Sequence, residues 1–164
     1  TEQLIKVFTG KVTNWKQVGG NDCQIVLVSR PSSSGTRVTF EQYALKKHAS
    51  QSNQSLETDD SGTLIQMIQS VSGSIGYVAL SYLTGDPQVG IVSINGVKPS
   101  LKNVYNGKYT VWSYEHMYTK GQPKGAAKAF LQQMLSEEYG KKIEAMGYGI
   151  ASKLTAAAKA THTK

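Results

Sequence analysis

The stretch VLVSRPSSSGTRVTF, Val26–Phe40, constrains the fold of this chain more than any other. The apolar residues Ile25 to Val28 read as a buried strand, the small polar residues after them as a loop, and the apolar-periodic run from near Thr36 as a helix. A strand that feeds a small-residue loop into a helix N-terminus is an anion site in outline. The first N–H groups of a helix have no intrahelical acceptor, and the macrodipole places partial positive charge there. Ser32, Ser33, Ser34 and Thr36 add hydroxyl donors, and Gly35 lets a ligand approach the backbone closely. Arg30 and Arg37, the chain's only arginines, bracket the loop. The planar fork of a guanidinium matches a tetrahedral oxyanion at two oxygens at once. The segment therefore predicts a site for phosphate or a related oxyanion.

The remaining pattern alternates buried apolar strands with amphipathic helices. Helices are expected over Thr1–Phe8, Thr36–Lys47, Ser61–Ser72 and most of Pro123–Met146, with a break near Gly140. In the last of these Ala127, Phe130, Leu131 and Met134 mark the inward face. Strands are expected over Gln24–Ser29, Ile75–Leu80, Val89–Ile94 and Tyr109–Tyr118. Lys98–Lys108 reads as polar, with a turn at Asn106-Gly107, and Ser152–Lys164 as a frayed polar tail. This alternation argues for an α/β fold, helices sandwiching a mostly parallel sheet.

At 164 residues the chain is one domain, or one domain with an attached segment, and long enough to bury a core. No run of 18 apolar residues exists to span a bilayer. The chain opens on Thr1 inside an expected helix, which reads as a processed or cut polypeptide. One cysteine, Cys23, excludes an internal disulfide. The net charge of +7 comes mainly from lysines scattered in runs no longer than two, a solvated surface with a mild attraction for anions. Nucleic-acid readers cluster Arg and Lys with interleaved aromatics on one face, and no such stripe is present, so no nucleic-acid partner is expected.

Signatures of catalysis are missing from the sequence. No serine precedes a lysine by three positions, no Gly-x-Ser-x-Gly occurs, and the loop lacks the Gly-Lys-Ser/Thr ending of a nucleotide-binding loop. His48, His116 and His162 stand far apart, and Asp59-Asp60 reads as a loop ending at a helix cap. No enzyme activity, cofactor or metal site is expected.

Three segments in order carry a resemblance: FTGKVTNW (Phe8–Trp15), SRPSSSGTRVTF (Ser29–Phe40) and GSIGYVAL (Gly73–Leu80). Together with Tyr109–Gly121 and Phe130–Gly147, the sequence closely resembles the phosphate-binding proteins of bacterial high-affinity phosphate ABC transporters. The resemblance implies a two-lobed periplasmic-binding-protein fold with a three-layer α/β/α lobe and phosphate held between lobes. By the family pattern, Arg30, Ser34, Gly35 and Thr36 bind phosphate. Ser33, Arg37, Ser61 and Gly62 lie beside it, Arg37 either touching the ligand or supporting the loop. Residues 1–151 correspond to the second lobe with its C-terminal return, and 152–164 to the tail; the first lobe, which precedes FTGKVTNW in the family, is absent. The implied partners are inorganic phosphate, an ABC permease in the membrane and that first lobe, and the implied location is extracytoplasmic, as a cell-surface lipoprotein or in the periplasm. The alternatives are a receptor for sulfate, molybdate or a phosphonate, and a phosphate-sensing or surface module without a transport role.

Overall fold

A computed structural model of the chain describes residues 1–50, 55–85 and 88–162. Its centre is a three-stranded parallel sheet in the order β2-β1-β3, with β1 at Val26–Ser29, β2 at Ser55–Glu57 and β3 at Ser74–Ile75. Leu27 sits opposite Ser55 on one side and Ile75 on the other. Parallel neighbours need a crossover, and two helices supply it. Helix α2 (Gly35–Thr39), continued as a π-helical turn over Phe40–Ala44, leads from β1 to β2, and α3 (Ser61–Ser70) leads from β2 to β3. The loops at the carboxyl ends of β1 and β2 therefore lie side by side on one edge of the sheet.

The twofold period of a strand sends Leu27 and Val28 to opposite faces. Leu27 joins the main core with Ile5, Val7 and Phe8 of α1 (Glu2–Phe8), and with Phe40, Ala44, Leu45 and Tyr77. Phe40 stacks on Tyr77 at 4.2 Å and meets Phe8 edge-on at 4.7 Å. Val28 is completely buried on the side where α3 packs through Leu64. Trp15 anchors the first loop by donating from its indole to the Gly73 carbonyl at 2.9 Å. Helices thus cover both faces of a parallel sheet, the expected α/β arrangement.

Several local expectations need correction. β3 is two residues long rather than a strand over Ile75–Leu80, and Val89–Ile94 forms only an isolated bridge, Ile94 to Val97. Tyr109–Tyr118 is not a strand, because it forms no ladder with any described strand. β-prone side chains make a strand only when a ladder partner exists. Lys98–Lys108 contains a short helix, α4 (Leu101–Tyr105), capped by the Ser100 hydroxyl. The C-terminal helical run divides at Leu135-Ser136, where Ser136 caps α6 (Glu137–Ala145), and not at Gly140, which lies within α6 packed against Ile150. In α5 (Gly125–Met134) Leu131 and Met134 are half-buried, but Ala127 and Phe130 face solvent, since α5 packs chiefly against α6 alone.

The described part of Ser152–Lys164 is not frayed either. It forms α7 (Ala156–Ala160), capped by Thr155, with Leu154, Ala158 and His162 buried. Gly107 makes this docking feasible: its φ of +77° closes the turn after α4, and a Cβ there would stand 3.1 Å from the Ala158 amide nitrogen. No helix among the described residues is long and apolar enough to cross a membrane.

Candidate oxyanion site

Arg30 follows the last residue of β1, where the strand is fully buried and the chain turns outward. Two groups from the neighbouring β2–α3 loop orient its guanidinium. Nη1 donates to Ser61 Oγ at 2.7 Å and Nη2 to the Asp59 carbonyl at 2.5 Å. Nε is buried and has no hydrogen-bond partner among the described residues. None of these acceptors is a carboxylate, so the cation stays uncompensated by any ion pair among the described residues. A held guanidinium that no carboxylate contacts directly, Asp60 acting on it only at longer range, can still donate to an anion.

The loop beyond Arg30 turns at Pro31–Ser34, with the Ser34 amide donating to the Pro31 carbonyl at 2.9 Å. Ser34 then caps α2, its hydroxyl accepting from the Arg37 amide at 3.3 Å. The Gly35 and Thr36 amides, which have no intrahelical acceptor, receive none from another described residue. Gly35 is exposed, and a Cβ placed on it would meet nothing within 4 Å. Ser33 is exposed beside it.

Arg37 turns away from the loop surface. It is 9% exposed and spends its donors inward: Nε to Glu41 Oε1 at 2.8 Å, Nη1 to the Arg30 carbonyl at 2.7 Å and Nη2 to the Ser50 carbonyl at 3.3 Å. Burial pushes the Glu41 carboxyl up, but hydrogen bonds from the Ser50 hydroxyl and amide and from Arg37 outweigh it, leaving Glu41 below its ordinary value.

Ser61 opens α3 and is buried, its oxygen occupied by Arg30, so it positions the guanidinium. The α3 terminus already has its own anion: Asp60 Oδ1 accepts from the Thr63 amide at 2.6 Å. That bond, with lesser help from Gly62 and Arg30, holds the Asp60 carboxyl below its usual value. Gly62 belongs to this capped turn.

Tyr77 is the residue that sequence reasoning missed. Its hydroxyl lies 3.0 Å from Ser29 Oγ and accepts from the Arg30 amide at 3.2 Å, so the aromatic core reaches the loop directly. The only sequence signal was its place in the GSIGYVAL segment. Glu41 was foreshadowed by its spacing of four from Arg37 on one helix.

Most of this chain is similar to known proteins. A family model described as a PBP superfamily domain matches residues 1–138. "Phosphate-binding protein PstS" of Bacillus subtilis is 49% identical over 142 residues, covering 87% of this chain and 46% of that protein. A Clostridium perfringens crystal structure with bound phosphate, described as a phosphate ABC transporter substrate-binding protein, superposes with a TM-score of 0.75 at 32% identity. The match covers 88% of this chain and 59% of that one. An ABC-type phosphate transport receptor from Vibrio cholerae gives a TM-score of 0.65 at 25% identity over 91% of this chain and 62% of that one. The chain spans about half the length of the curated relatives it matches.

Proposed function

The chain belongs to the PBP superfamily, and on that premise we propose that it is the phosphate-binding part of an extracytoplasmic receptor for an ABC phosphate transporter. The observation that carries this reading is Arg30: among the described residues its held guanidinium makes no ion pair with a carboxylate, and the Gly35 and Thr36 amides of the loop beside it have no acceptor. In this reading phosphate accepts from Arg30, from those two amides and from the hydroxyls of Ser34 and Thr36. Ser33 lies at the rim, while Arg37, Ser61 and Gly62 shape the site from behind. The protein captures and releases its anion without a chemical step and delivers it to a membrane permease.

The length of the relatives supports a second lobe. Residues 1–151 form one side of the cleft in this reading, and the first lobe of the full-length protein closes over the other side. One lobe leaves the anion in contact with water, where each hydrogen bond contributes less. Calorimetric titration with phosphate and sulfate tests the proposal on the full-length protein and its Arg30→Ala variant. A loss of about 1.5–3 kcal/mol in phosphate affinity is expected, the scale of a charge-assisted hydrogen bond. Unchanged affinity removes Arg30 from the site, and preferential sulfate binding overturns the assignment of the anion. The 164-residue chain alone is expected to bind weakly, and submicromolar binding by it overturns the need for a second lobe.

A further inference from the structure

Aromatic rings from two distant parts of the chain close over its C-terminal segment. The His162 imidazole stacks on Trp112, with centroids 3.7 Å apart and planes at 25°, and its centroid lies 4.0 Å from that of Tyr43. The residue is 6% exposed. Nδ1 shares a 2.7 Å hydrogen bond with Thr161 Oγ1, whereas buried Nε2 has no hydrogen-bond partner of good geometry among the described residues. Tyr43 belongs to the π-helical continuation of α2, Trp112 to the extended segment after α4, and His162 follows α7. One ring therefore joins three pieces of the fold, including the helix that begins at the oxyanion loop.

A proton added to this ring has no acid to meet. From α2 it faces the neutral Tyr43, and from the extended segment Trp112, whose own neighbour is Tyr114 with His116 beyond it. From its own segment it faces Thr161, with Lys159 one turn earlier on α7. No carboxylate pairs with it among the described residues. Burial pushes the imidazole below its ordinary value, against a weaker upward pull from the Trp112 and Thr110 backbone carbonyls. The aromatic faces return part of the cost of charging through cation–π attraction, but the net displacement is downward.

We propose that His162 is a proton-sensitive clasp: neutral, it pins the α7 segment onto α2 and the Trp112 segment, and protonated, it lets that segment go. The linkage has a definite sign. The imidazole takes a proton more readily when released than when docked, so acid favours release. Docking is complete above the ordinary imidazole value of about 6.5 and weakens below it by up to about tenfold per pH unit, until the docked ring itself titrates. The clasp does not depend on which anion the loop holds.

A histidine-ring NMR titration of the 164-residue protein tests this, with signals assigned through His48→Gln and His116→Gln. His162 is expected to titrate below the ordinary imidazole value of about 6.5. The Trp112 indole N–H and the Ala158 and Lys159 amides should shift with the same midpoint. His162→Phe keeps the stack and removes the proton, so its Trp112 and α7 signals should stay flat through the pH range that moves the wild type. If that variant does not fold, the wild-type curves still decide. A His162 midpoint at or above the ordinary value of about 6.5, or Trp112 and α7 signals that do not move through it, overturns the clasp.

Discussion

The chain's two arginines meet through one bond: Arg37 Nη1 donates to the backbone carbonyl of Arg30 at 2.7 Å. One guanidinium is thereby consumed in holding the other's backbone, and Arg30 keeps its charge free of any close ion pair among the described residues. Charge at an anion site is useful only if its carrier cannot swing away. Arg37 supplies that restraint from inside the protein.

The first prediction concerns this buried support. Arg37→Leu should destabilise the fold by about 3–5 kcal/mol, because it strands the partly buried Glu41 carboxylate. The double variant Arg37→Met/Glu41→Leu should recover much of that loss. Urea unfolding midpoints of wild type and variants measure both.

Acid should act through the same pair. Glu41 lies below its ordinary value in the folded state. Its contribution is therefore present above the unfolded carboxylate value of about 4.3 and lost as pH falls through the lower, folded one. Unfolding midpoints should decline over that acid range in the wild type, and Glu41→Gln should flatten the decline while lowering stability at neutral pH.

Tyr77→Phe separates the aromatic stack from the hydroxyl. The ring still packs on Phe40, but Ser29 Oγ and the Arg30 amide lose their shared partner. A cost of about 1–3 kcal/mol is expected for a buried polar group left unsatisfied, read from thermal or denaturant unfolding. If the phosphate reading holds, the loosened Arg30 should also lower anion affinity.

Two glycines should respond in opposite ways. Gly73 has a φ of +75° and its added Cβ would run into the Gln24 carbonyl, so Gly73→Ala should unfold the chain or sharply reduce its yield. Gly35 has open space where its Cβ would go, so Gly35→Ala should leave the unfolding midpoint almost unchanged. Any effect of that substitution on phosphate titration then reports on ligand contact.

The sequence made the β1–loop–α2 unit legible because three signals agreed there: an apolar run, a cluster of small polar residues and a helical period. Ser34 as a helix cap and Asp60 as another follow from local chemistry that a short window contains. The inward bonding of Arg37 was not readable, since its acceptors include the carbonyls of Arg30 and Ser50, brought together only by folding. Tyr77 was hidden for the same reason, lying 47 positions from the amide it accepts from. Strand expectations beyond β3 failed because side-chain preference specifies a pleated surface and says nothing of whether a neighbour is present. The C-terminal segment was misjudged from its small and polar composition: Ala158 buries because it is small enough to approach the Gly107 turn.

The unladdered segment Tyr109–Tyr118 should also bear on the colloidal behaviour of the molecule. It joins no strand ladder among the described residues, Met117 and Tyr118 on it face outward, and Phe130 and Leu135 add greasy surface nearby in sequence. Such segments recruit other chains edge to edge, and the scattered lysine charge opposes that only while salt is low. Concentrated, salty solutions of this polypeptide should therefore turn turbid before dilute, low-salt ones do.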